Sequence, residues 1–124
     1  MKTTLKKILL AYSTIIRMGN IRRAPATQLK FFKLKKLLHD GFEFYCEEER
    51  KLMDEFKLEA DEVTGAIKFT DPETKEAYNK RVEELQAVEY EISLEKKIII
   101  RSSEMNEISL GEMEALEEFI DFYE

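Results

Sequence analysis

The sequence is poor in the residues that build staples, breaks and reactive centres. Among 124 residues there is one cysteine, one histidine, two prolines and four glycines. A lone Cys46 cannot form an intramolecular disulfide or a cysteine-based zinc site, and it fits a reducing compartment. No apolar run approaches the ~20 residues of a membrane span. The stretch from Leu5 to Ile16 is broken by Lys6, Lys7, Ser13 and Thr14, so it is expected to belong to the mature fold rather than to a leader. Phosphate-binding and dinucleotide fingerprints are absent as well.

Acidic residues are missing from the first third. Ten Lys and Arg precede Asp40, the first acid, whereas the other ten bases and all 26 acids follow it. A net charge of −6 hides this polarity. Opposite fields attract, so the cationic segment must meet the chain's own acids, another copy's acids or an external polyanion. The expected answer is the chain's own carboxylates.

What remains is helical. A length of 124 residues fits one domain, residues 1–124, able to bury roughly two thirds of its unfolded surface. The 37% of charged residues suits long solvated helices. Leu5, Ile8, Leu9, Tyr12, Ile15 and Ile16 recur at three- and four-residue steps, predicting a first helix capped by Thr3 or Thr4 and ended at Gly19-Asn20. Pro25 opens a second helix running to about Lys57, in which Phe31, Leu34, Leu38, Gly41, Tyr45, Leu52 and Phe56 mark the apolar stripe. Phe32, Leu37, Phe42, Phe44 and Met53 are expected to widen that stripe, and Gly41 is the expected point of a kink.

Residues 63–69 alternate around Gly65 like a hairpin or an edge strand. They are expected to pair with strand-like residues at 90–100. Asp71-Pro72 starts a third helix whose buried side is Ala77, Val82, Leu85 and Val88, and Ser109 with Glu112 forms a capping box for a closing helix through Met113, Leu116, Phe119, Ile120 and Tyr123. The expected fold is mainly α with minor β: a helical domain with a long second helix and a small antiparallel β element.

The run Glu47-Glu48-Glu49-Arg50-Lys51-Leu52-Met53, then Glu83-Glu84-Leu85 followed by Val88-Glu89-Tyr90-Glu91-Ile92, and the ending Ile108-Ser109 with Leu116-Glu117-Glu118-Phe119-Ile120, resembles a family of small helical proteins of tailed bacteriophages and prophages. The likeness covers nearly the whole chain. The stretch from Leu29 to Leu38 departs from it in being richer in Phe and Lys. The resemblance implies a phage gene product of the host cytoplasm and carries over no activity, cofactor or catalytic residue.

Candidate chemistry is thin. His39 beside Asp40 has no nucleophile within its pattern, and neighbouring helical residues do not face each other. Cys46 lacks a base and is flanked by acids. Consecutive glutamates project about 100° apart, so Glu47, Glu48 and Glu49 cannot converge on one ion by themselves. No enzyme, cofactor or metal site is expected. The expected partner surface is Arg22, Arg23, Lys30, Lys33, Lys35 and Lys36 together with Glu47, Glu48 and Glu49, used against a host or phage protein, and a homo-oligomer is expected because the long second helix cannot bury its whole face within 124 residues. The reading is therefore a non-enzymatic accessory protein acting by protein binding, such as an inhibitor of a host defence system. Alternatives are a tail-assembly component, or a nucleic-acid or nucleotide binder using the basic third with Phe31 and Phe32 as stacking faces.

Overall fold

The computed structural model describes residues 1–19, 21–105 and 107–123. In chain order it comprises β1 (Lys2–Thr4), α1 (Leu5–Met18), α2 (Pro25–Glu55), β2 (Glu59–Ala60), β3 (Ile67–Lys68), α3 (Pro72–Gln86), β4 (Glu89–Glu91), β5 (Ile98–Arg101), a 3-10 turn (Ser102–Glu104), α4 (Leu110–Leu116) and β6 (Ile120–Tyr123). The fold is mainly helical with minor β structure. Thr4 caps α1 by accepting from the Lys7 amide. Pro25 opens α2, and the Asp71 carboxylate caps α3 through the Thr74 amide. The Asn20 part of the first helix's stop signal lies outside the described residues.

The main core joins α1, the first half of α2, α4 and the strands beside them. Leu5, Ile8, Leu34, Leu38, Ile100, Leu116 and Phe119 are fully buried there. A smaller cluster of Leu52, Leu58 and Tyr78 joins the end of α2 to α3, and Leu85 packs against both groups.

Gly41 does not break α2, which runs continuously for 31 residues, about 46 Å at ~1.5 Å per residue. The glycine serves packing instead. A Cβ there would lie 2.9 Å from Ile8 Cδ1 and 3.2 Å from Tyr90 Cε1, so its absence lets α1 and β4 approach the helix. This close contact offsets the ~1 kcal/mol of helix propensity that Gly forgoes against Ala.

Strand pairing differs from the sequence expectation. The 63–69 segment does turn as a hairpin: Asp61 Oδ1 accepts from the amides of Val63 and Thr64, and Gly65 takes φ +73°. Its partner, however, is the adjacent Glu59–Ala60, not residues 90–100. Tyr90 instead pairs antiparallel with Thr3 in β1, a strand hidden in sequence by its shortness. Ile98–Arg101 pairs parallel with Ile120–Tyr123, Ile100 opposite Phe122. Parallel strands need a crossover of a dozen or more residues, which the 3-10 turn and α4 supply.

The closing helix is accordingly short. The Ser109 and Glu112 capping box forms, but the helix stops at Leu116, since Phe119 and Ile120 are drawn into the core and the β-favouring Ile120-Asp121-Phe122-Tyr123 completes the ladder. On α3 the buried residue is Tyr78; Ala77 is exposed, Val82 and Leu85 are half-buried, and Val88, past the end of the helix, is exposed. Phe32 and Phe44 do not widen the core stripe of α2. They are 55% and 41% exposed, because each lies more than 100° round the helix from Leu38.

Candidate interaction surface

The cationic third is mostly not neutralised by the chain itself. Among the described residues only Lys7 and Lys30 of the ten early bases form ion pairs with carboxylates, Lys7 with Glu118 at 3.2 Å and Lys30 with Glu104 at 2.8 Å. The expectation of internal neutralisation therefore fails, for a geometric reason. Lys33 and Lys36 sit on the side of α2 turned away from the core, where no acidic element of the same chain is packed among the described residues.

The nine expected partner-binding residues divide into two groups. Lys30 is structural: its ammonium also donates to the Ile99 carbonyl at 2.9 Å, tying α2 to β5. Arg23 braces the connector between α1 and α2, with Nη1 donating to the carbonyls of Met18 and Ile21 and the guanidinium 5.4 Å from the Phe31 ring centre. Glu49 accepts from the Tyr45 hydroxyl at 2.7 Å, and burial together with this bond raises the phenol's pKa. Glu48 accepts from Lys51. Arg22, Lys33, Lys35, Lys36 and Glu47 are exposed and, among the described residues, have no ion-pair partner.

Where α1 ends and α2 begins, the two helices leave a groove of about 350 Å³. Ile15, Ile16, Phe31 and Phe32 supply its apolar walls, and Gln28, Arg23 and Lys35 its polar ones. Among the described residues no acid lines it. Ile16 is 50% exposed, and Nε and Nη2 of Arg23 are buried without a hydrogen-bond partner among the described residues. Buried donors of this kind are costly unless an acceptor arrives. Nothing in the sequence marks Ile16 and Gln28 as surface residues; the apolar spacing puts Ile16 on the buried stripe, although it lies about 100° from Ile15.

Reactive groups are poorly placed for catalysis. His39, Asp40 and Glu43 bring their ligand atoms within 4.8 Å of one another, yet both imidazole nitrogens already have protein partners. Nδ1 lies 3.0 Å from the Tyr12 hydroxyl and Nε2 3.1 Å from Glu43. A neutral ring protonated at Nε2 satisfies both. Burial, then the charge of Glu49, pushes the Cys46 thiol up from its ordinary pKa, which disfavours the thiolate. Among the described residues no helix is long and apolar enough to cross a membrane.

Comparison with protein families, with curated proteins and with solved structures finds no match.

Proposed function

We propose that this protein is a non-enzymatic accessory protein that works by occupying an acidic and apolar surface of a protein partner through the α1–α2 groove. One observation carries the reading: an apolar trough bounded by Lys35 and Arg23, with no carboxylate among the described residues of its lining. An apolar side chain of the partner fits between Ile16 and Phe32, while a neighbouring carboxylate meets Lys35 or Arg23. Charge-assisted hydrogen bonds of this type are roughly twice as strong as neutral ones. The sequence resemblance to phage proteins supplies the setting, a host cell in which blocking a component of a defence system would need contact and no chemistry.

A nucleic-acid reading draws on Arg22, Lys33, Lys35 and Lys36 with the exposed ring of Phe32. Against it stands the continuation of the same helix. Asp40, Glu43 and Glu47 follow Lys36 within about three turns, and a phosphate backbone tracking the helix would run into them. A compact protein epitope avoids that repulsion.

The test is affinity capture from infected host lysate with the wild type and with Ile16→Asp and Lys35→Glu variants, alongside shift assays with single- and double-stranded DNA and RNA at low salt. A protein retained by the wild type and lost by both folded variants supports the reading. Capture indifferent to both substitutions refutes it, and so does tight, salt-dependent nucleic-acid binding abolished by a Lys33/Lys35/Lys36→Glu variant.

A further inference from the structure

The outer face of α2 carries a pattern of which the groove uses only Phe32. Opposite the buried residue Leu38 run Leu29, Lys36, Asp40 and Glu47, all within about 20° of one line at ~100° per residue. Phe32 and Glu43 flank that line on one side, Lys33 and Phe44 on the other. All eight are exposed. Leu29 and Phe32 are 49% and 55% accessible, a high exposure for large apolar side chains on a helix whose other face is in the core. Lys36 makes no ion pair with Asp40 one turn away, among the described residues, and lies 5.5 Å from the Phe32 ring centre instead.

The order of these residues is self-complementary. From Leu29 to Lys36 the face is apolar and cationic, and from Asp40 to Glu47 it is anionic with one aromatic residue. In an antiparallel pair of α2 helices with the twofold axis level with Leu38, residues equally distant from that level share a layer, and each flank stays on its own side of the axis. Lys36 then lies opposite Asp40 of the second copy and Lys33 shares a layer with its Glu43, while along the flanks Phe32 runs beside the second copy's Glu43 and Lys33 beside its Phe44. The twofold repeats each contact, giving four cation–carboxylate juxtapositions. A parallel pair would set Lys33 on Lys33 and Asp40 on Asp40, which like-charge repulsion disfavours.

We propose that the protein forms a symmetric dimer through the outer face of α2, antiparallel and centred near Leu38. Such an isologous contact needs only one patch, since each residue meets a different residue of the same patch on the other copy. The occupant is a second copy because the charge order of the helix is its own complement when reversed. Helix axes 8–10 Å apart leave room for the lysine stems to cover Phe32 and Phe44 while their ammonium groups reach the carboxylates. The dimer face shares Phe32 with the groove, whereas Lys35 and Ile16 lie beside this face and not on it.

Sedimentation equilibrium of the full chain from micromolar to millimolar concentration reads the outcome directly. The wild type is expected to dimerise, with a dissociation constant that rises several-fold as salt is increased from about 0.1 to about 0.5 M. Lys36→Glu alone and Asp40→Lys alone each create repulsive pairs across the axis and are expected to be monomeric at concentrations where the wild type is dimeric. An equimolar mixture of those two variants restores both attractive pairs in a heterodimer, and the double variant Lys36→Glu/Asp40→Lys restores them in a homodimer. Should circular dichroism find either single variant unfolded, Lys33→Glu and Glu43→Lys provide the same exchange one turn further out. Lys35→Glu must leave the dimer intact. A wild type that is monomeric throughout, a mixture of folded variants that stays monomeric, or loss of the dimer on Lys35→Glu would each overturn the proposal.

Discussion

The two halves of α2 share one backbone and one buried stripe, yet they handle charge in opposite ways. From Pro25 to Leu38 the inward residues Phe31, Leu34 and Leu38 enter the main core, while the outward lysines 33, 35 and 36 have no carboxylate partner among the described residues. From Asp40 to Glu55 the core contact thins to Tyr45 and Leu52, and the acids are tied down locally: Glu48 to Lys51, Glu49 to Tyr45, Glu55 to Arg81 by two bonds of 3.2 and 3.3 Å. The first half is thus firmly packed and electrostatically unfinished, whereas the second is more lightly packed and ties down part of its charge, leaving Asp40 and Glu47 without an ion-pair partner among the described residues. Packing and charge satisfaction are separate problems. A helix can solve one and leave the other to a partner.

If packing is concentrated in the first half, truncations should cost unequally. Leu38→Ala empties a site with no solvent access and is expected to destabilise by about 3–4 kcal/mol in urea unfolding, against about 2 for Leu52→Ala in the smaller cluster. Equal costs would erase the contrast. Between the halves, Gly41→Val is expected to cost about 2–3 kcal/mol through overpacking, because its side chain would press on buried Ile8 and on Tyr90. A neutral result would mean that the close approach of α1 is adjustable. Smaller again is the difference among lysines. Lys30→Ala removes the bonds to Glu104 and Ile99 and should lower Tm by a few degrees, whereas Lys33→Ala should change stability by no more than about 0.5 kcal/mol.

Much of this is legible in the sequence where several local signals agree. Thr4, Pro25, Asp71-Pro72 and the Ser109 and Glu112 pair mark helix starts because a cap needs only neighbours within four residues. Pairing of strands is not legible. Lys2–Thr4 is too short to show a period, and the choice between Glu59 and Tyr90 as a partner for a hairpin segment is made by chain connectivity and the core, not by composition. The end of α4 is hidden for a related reason: Leu116, Phe119, Ile120 and Tyr123 satisfy a helical period, but the free edge of β5 outcompetes it. For the surface, charge polarity marks the cationic third of the chain but points to the wrong resolution of its charge. Composition registers how many acids a chain has, whereas neutralisation depends on which face of which helix they occupy.

The smallest expected effect concerns acid, and it reads the carboxylates built into the caps and turns of the fold, in contrast to the packing that dominates α2. Asp71 has its pKa lowered by the amide of Thr74 and then by that residue's hydroxyl, Asp61 by the amides of Thr64 and Val63, and Glu104 by the amide of Arg101 and then by Lys30. A carboxyl group whose folded pKa lies below its unfolded value of about 4 contributes stability that is present above the unfolded value and is lost as pH falls through the folded one. Thermal unfolding followed from about pH 6 to about pH 2 should therefore show Tm declining from near pH 4 downward. Asp71→Asn keeps a side-chain oxygen able to accept from Thr74 but cannot titrate, so it should flatten part of that decline while leaving Tm near pH 6 slightly below the wild type. If Asp71→Asn leaves the decline as steep as in the wild type, the bonds from Thr74 are not what holds that carboxylate low, and the cap of α3 contributes no pH-dependent stability.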